Sequence, residues 1–270
     1  MPTAREALLD AAYAALADQP WAAVRMVDVA AAARVSRQTL YNEFGSKSGL
    51  ARALVRRELD AYLAGVERAL TGCQGDPGGP SVRAGAPSGR SGGAADRPGS
   101  SPAPAGDAAA RVAAAAAWTL RTARTNPLVR AALTGCWGER LPPRWAAGPV
   151  PARPRGARRA VPAQRQGAGE GPPPGPTDLV GRFRERAVAA LAPHWPDEEL
   201  PALDTACEAA ARLTLSCVVA PARPEPPGAG ARTAAAGRDA ESEAVARLVR
   251  GAFARVPGRT GRPGRGKAGG

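Results

Sequence analysis

Residues 34–47 read Arg34-Val-Ser-Arg-Gln-Thr-Leu-Tyr-Asn-Glu-Phe-Gly-Ser-Lys47, and their reading decides the fold. An Ala-rich segment, Asp28-Val-Ala-Ala-Ala-Ala33, precedes them and reads as a short helix. Val35 and Ser36 predict a tight turn, and Ser36 predicts an N-cap, because its hydroxyl can accept an otherwise unpaired backbone N–H. The helix that follows carries Arg37, Gln38, Thr39, Tyr41 and Asn42, with Leu40 and Phe44 inward at i and i+4. A short helix set crosswise on another, with hydrogen-bonding side chains outward, has the shape and chemistry to enter a DNA major groove.

Working outward, Leu8, Ala12 and Leu16 share one helical face, joined by Leu9 and Tyr13. With Val29, Leu40, Phe44, Leu50 and Leu54 they predict the small core of a three-helix unit, and a fourth helix over about 47–70 leads out of it. The stretches Arg5-Glu-Ala-Leu-Leu-Asp-Ala-Ala-Tyr13, Val27-Asp-Val-Ala-Ala-Ala-Ala-Arg-Val-Ser36 and Thr39-Leu-Tyr-Asn-Glu-Phe-Gly-Ser-Lys47 together resemble the TetR/AcrR family of transcriptional regulators, over about residues 4–70.

That resemblance implies an all-α fold: an N-terminal three-helix helix-turn-helix unit, then a helical ligand-binding and dimerisation domain with long disordered loops. It implies base contacts from Arg37, Gln38, Tyr41 and Asn42, and phosphate contacts from Ser36, Thr39, Lys47 and Arg25. The chemistry agrees, since Arg pairs bidentately with guanine and Gln with adenine. For Arg25 a purely solvated role is an equal alternative. Three positions depart from the family pattern. Arg34 stands where Gly is common, which predicts a non-Gly residue in a left-handed conformation. Arg25 stands where Thr or Ser opens the second helix, leaving only the acidic half of a capping box at Asp28. Gly49 stands where Ala is usual, at a helix cost of about 1 kcal/mol.

The chain has 270 residues, with 32 Gly, 28 Pro and only 4% aromatics. Residues 72–107, 138–176, 221–238 and 256–270 are so rich in Gly, Pro, Ala and Arg that they predict disorder. The domain reading is therefore 1–70 as the helix-turn-helix domain with its connecting helix, 71–107 as linker, 108–255 as the effector-binding and dimerisation domain, and 256–270 as a basic tail. Further helices are predicted at about 108–125, 127–137, 177–192, 197–219 and 239–255. In the fourth of these Asp197, Glu198 and Glu199 suit a first turn, and Leu203, Ala206, Cys207, Ala210, Leu213, Cys217 and Val218 form a stripe. In the last, Val245, Leu248, Val249 and Ala252 share a side. By order along the chain, the resemblance places a homodimer interface on these two helices.

The formal net charge of +13 suits a polyanionic partner. Yet residues 1–70 hold nine Lys/Arg against eight Asp/Glu, so the excess lies mainly in 140–165 and 250–270. Two readings follow. One is a repressor that binds a pseudo-palindromic double-stranded DNA operator as a homodimer and is released by a small apolar effector. The other is an interaction protein with a residual helix-turn-helix, whose Arg/Pro/Gly-rich linkers bind partners or nucleic acid without sequence preference. Trp118, Leu133, Cys136, Trp137, Phe183 and Trp195 are the effector-pocket candidates, with a plain core role as their alternative. His194 is the only histidine, no nucleophile or phosphate-loop motif surrounds any Ser, Cys or Gly, and the four cysteines have no metal-ligand spacing. These features predict no enzyme, no cofactor and no metal. The absence of a leader pattern and of long apolar runs predicts a cytoplasmic protein without a membrane partner.

Overall fold

Caps and stop signals set where the helices of this chain begin and end. The computed structural model describes residues 3–72, 104–143, 174–220 and 231–254. Among these residues the structure is all-helical, with no strand. In chain order the helices are α1 (Ala4–Asp18), α2 (Met26–Ala32), α3 (Arg37–Phe44), α4 (Lys47–Leu70), α5 (Pro104–Thr125), α6 (Pro127–Thr134), α7 (Pro176–Leu191), α8 (Leu200–Val219) and α9 (Ala231–Phe253). Most of the segments expected to be disordered, and the basic tail, lie outside the described residues.

Two compact units emerge: Met1–Leu63 with Arg121–Arg182, and Ala64–Leu120 with Phe183–Gly270. In the first, α1, α2 and α3 pack on one another. Leu8, Leu9, Ala12, Val29, Leu40, Phe44, Leu50 and Leu54 are buried as expected, while Leu16 and Tyr13 are half-buried. A capping box opens α1: the Thr3 hydroxyl accepts the Glu6 N–H at 3.2 Å and the Glu6 carboxylate accepts the Thr3 N–H at 2.8 Å. Those bonds hold the Glu6 carboxyl below its usual range. In the same unit Asn126 caps α6, accepting from the N–H groups of Leu128 and Val129.

In the second unit α8 packs on α9. Arg111 of α5 donates to the Leu70 carbonyl at the end of α4, and at 3.2 Å to the Ala190 carbonyl near the end of α7. One half-buried guanidinium thereby satisfies orphan carbonyls of two helix termini. The Trp118 ring lies against the backbone of Gly65, where a Cβ would overlap it, and the Arg68 guanidinium sits 6.0 Å from its centroid.

Several expected boundaries move. α6 stops at Thr134, not 137, because Gly135 adopts a left-handed φ of 72° and ends the helix. Asp197–Glu199 form a separate 3-10 turn, and α8 starts only at Leu200 with Pro201 in its first turn, where a missing N–H is tolerated. The buried face of α8 includes Ala211 and Thr214, whereas Leu213 and Cys217 are half-buried. α9 begins at Ala231 and not near 239, since the Ala-rich run after Pro227 favours helix. α5 likewise starts at Pro104, inside the stretch read as linker. On α9, Val245, Val249 and Phe253 are buried, but Leu248 is 45% exposed. Gly49 is no mere helix penalty: an added Cβ there would overlap the Phe44 carbonyl, so the backbone approach requires glycine.

A candidate nucleic-acid interface

The outward face of α3 is built by its own cap and by what its two inward residues leave free. Ser36, in extended conformation, accepts the Thr39 N–H at 3.0 Å, and its hydroxyl lies 2.8 Å from that of Thr39. Leu40 and Phe44 are buried. Helical spacing then leaves Arg37, Gln38, Tyr41 and Asn42 together on the opposite face, all exposed, with Tyr41 at 50%. Gln38 Nε2 donates to Asn42 Oδ1 at 2.9 Å, one turn along the helix.

The turn that aims α3 contains Arg34 with φ of 54°, the left-handed conformation expected at that position. α2 opens at Arg25 without a side-chain cap. Arg25 instead pairs with Asp28 at 2.7 Å on the protein surface. Lys47, at the start of α4, donates to the Ala22 carbonyl at 2.9 Å and lies 5.6 Å from the Trp21 ring centroid. Partial burial lowers its pKa from the usual lysine value. An ammonium carries three hydrogens, so one bond to Ala22 leaves others for a phosphate.

The same segment is what known proteins share with this chain. Residues 8–54 match the family model of bacterial regulatory proteins, tetR family. The HTH-type transcriptional regulator AlkX of Mycobacterium tuberculosis is 44% identical over 66 residues, covering 24% of this chain and 31% of that protein. The HTH-type transcriptional repressor LfrR of Mycolicibacterium smegmatis is 46% identical over 65 residues, covering 24% of this chain and 33% of that one. Residues 8–54 carry the helix-turn-helix segment of the tetR family.

The match spans about a third of the length of these curated relatives. A crystal structure of the TetR family repressor AlkX from Dietzia sp. aligns over 93% of this chain and 97% of that one, at 20% identity and a TM-score of 0.45, too slight a likeness to carry an argument.

Within the first unit the structure adds residues that the local sequence pattern did not mark. Arg5 of α1 pairs with Glu43 of α3 at 3.3 Å and lies 4.8 Å from the Phe44 ring centroid. Trp21 is buried, and its backbone N–H donates to the Arg140 carbonyl at 2.8 Å. Arg57 of α4 pairs with Asp10 of α1 at 2.6 Å and with neighbouring Glu58, whose other oxygen accepts from Asn126 at 2.6 Å. Burial, with Glu58 adding to it, pushes the nearby Tyr13 hydroxyl above its usual pKa. The Thr3-x-x-Glu6 pattern was a legible cap signal. The Arg5 and Arg57 pairs had none, since partners 38 and 47 residues away in sequence leave no local pattern.

The effector candidates fall into both units. Leu133, Cys136 and Trp137 belong to the first, buried, exposed and half-buried respectively, and Trp137 lies beyond the end of α6. Trp118, Phe183 and Trp195 belong to the second. Phe183 is buried, and Trp195 is buried to 8% exposure with its indole N–H unpaired. Cys207 is buried and its thiol is pushed up to about 12, chiefly by desolvation with Asp204 adding to it, which suits a small apolar filler. Among the described residues no cluster of His, Cys, Asp and Glu could hold a metal ion, and no helix is long and apolar enough to cross a membrane.

Proposed function

We propose that this chain is a sequence-specific DNA-binding transcriptional regulator, a repressor that acts in the cytoplasm. The observation that carries the reading is the face of α3: Arg37, Gln38, Tyr41 and Asn42, exposed together on a helix whose Leu40 and Phe44 are buried. Within a tetR-family unit, that face is the one available to base edges. Arg37, Gln38, Tyr41 and Asn42 contact bases, while Ser36, Thr39, Lys47 and Arg25 contact phosphates. The names of two relatives, a regulator and a repressor, support the same role.

A single short helix reads too few base pairs for specificity, so a homodimer on a pseudo-palindromic operator completes the reading. Exposed Leu248 of α9 and Val219 of α8 supply apolar surface for that dimer. A small apolar effector is the proposed release signal, with Trp118, Phe183 and Trp195 the aromatic residues of the second unit available to it. Release requires that the effector bind the DNA-competent and released states with different affinity.

The test is selection of bound sequences from randomised duplex DNA with the purified full-length protein. A regulator enriches a palindromic site whose binding survives competitor DNA. Binding that shows no preference and vanishes as salt rises would instead mark non-specific attraction through the arginine-rich stretches.

A further inference from the structure

We propose that Arg5 of α1 neutralises the Glu43 carboxylate of α3, and that this pairing, not a contact of Arg5 with DNA, lets α3 lie against the phosphate backbone. The assignment rests on α3 as the DNA-reading helix and goes further by giving a role to a residue outside that helix. Glu43 is exposed, four residues beyond Thr39. Residues so spaced share one stripe of a helix, with Cβ atoms about 5–6 Å apart. The hydroxyls of Thr39 and Ser36, the proposed holders of a phosphate, lie 2.8 Å apart. A phosphate on that pair has the Glu43 carboxylate one helical turn away, inside the Debye length of about 8 Å at physiological ionic strength. Left unpaired, that carboxylate would repel the backbone that Ser36 and Thr39 bind.

Three contacts place the Arg5 guanidinium against it. Arg5 Nη1 lies 3.3 Å from Glu43 Oε2, and donates to the Glu43 carbonyl at 3.5 Å. That carbonyl belongs to the last turn of α3, where the helix itself supplies no donor. The guanidinium carbon is 4.8 Å from the centroid of the Phe44 ring, which is buried and so gives it a fixed base. An exposed ion pair adds little to folding. Its consequence here is the charge it cancels at the phosphate-facing edge of α3.

The test uses the full-length protein and the duplex enriched from randomised DNA. Arg5→Met keeps an apolar stem beside Phe44 and drops the charge. It weakens binding to matched and mismatched duplexes alike, by roughly 2- to 10-fold per half-site, as expected for like charges several ångströms apart near a protein surface. The deficit shrinks as salt rises. Glu43→Gln binds at least as tightly as wild type, and Arg5→Lys, which retains the charge, matches it. The double variant Arg5→Met/Glu43→Gln is decisive: with both charges gone, it returns to within about twofold of wild type. Unchanged thermal melting shows that the variants fold. A double variant as weak as Arg5→Met overturns the neutralising role, because Arg5 then touches DNA or holds α3 in place. A deficit that ignores salt, or wild-type affinity in Arg5→Met, overturns it as well, and each leaves the DNA-reading role of α3 intact. Enrichment of no sequence at all overturns that role and this assignment with it.

Discussion

At residue scale, Arg34 carries a measurable cost. Its φ of 54° places a Cβ where left-handed backbone crowds the following carbonyl. Arg34→Gly is expected to stabilise the protein by about 1 kcal/mol, and Arg34→Val to destabilise it, because a β-branched side chain fits that conformation worst. Urea denaturation of the three proteins checks the order, and a loss of stability in the glycine variant would show that the turn is unstrained. Lys47 has two separable roles. Its bond to the Ala22 carbonyl is structural, so Lys47→Met should lower stability by roughly 1–2 kcal/mol, as loss of a charged hydrogen bond does. Its proposed phosphate contact is read separately: the salt dependence of operator binding should become shallower by about one unit per half-site. A stability change with an unchanged slope would confine Lys47 to holding the Trp21 turn.

Elements meet one another at positions where a single group decides the fit. On α4, Gly65 lies against the Trp118 ring of α5, and a Cβ would overlap it. Ordinary helix propensity favours alanine over glycine by about 1 kcal/mol, but overpacking costs about 1–3 kcal/mol. Gly65→Ala should therefore destabilise, seen as a lower urea midpoint together with a shift in tryptophan fluorescence. On α5, Arg111 serves carbonyls at the ends of two other helices. Arg111→Met keeps the aliphatic stem and leaves those carbonyls without the donor, so a loss of about 1–3 kcal/mol is expected. Equal stability of the methionine variant in thermal and chemical melts would mean that solvent replaces the guanidinium fully.

For the whole molecule, the division of labour on α9 gives a paired test of self-association. Val245 is buried to 1% exposure, whereas Leu248 is 45% exposed. A charge at Val245 enters the core and should cost several kcal/mol, on the order expected for an unpaired buried charge. Leu248→Glu should leave the melting temperature nearly unchanged and abolish the dimer and operator binding together. Sedimentation and DNA titration on the same sample check this, and a Leu248→Glu dimer with full operator affinity would remove α9 from the interface.

The sequence by itself determined the N-terminal unit: its core of Leu8, Leu40, Phe44 and Leu50, the Ser36 cap, the left-handed Arg34 and the polar face of α3. These are local signals, readable because capping and helical period act within a few residues. It also sufficed to expect an all-helical chain. The expected stripes of α8 and α9 hold at Leu203, Ala206, Cys207, Ala210, Val218, Val245 and Val249, and tertiary structure alone decided their edges, leaving Leu213 and Cys217 half-buried and Leu248 exposed. It alone joined Arg5 to Glu43, Arg57 to Asp10 and Arg111 to the ends of two helices. Alanine-rich helices have an apolar stripe with weak edges, so packing rather than pattern sets where their buried face ends. Pairs far apart in sequence leave no local trace at all, and Gly49 and Gly65 disclose their purpose only where another backbone or ring comes to rest against them.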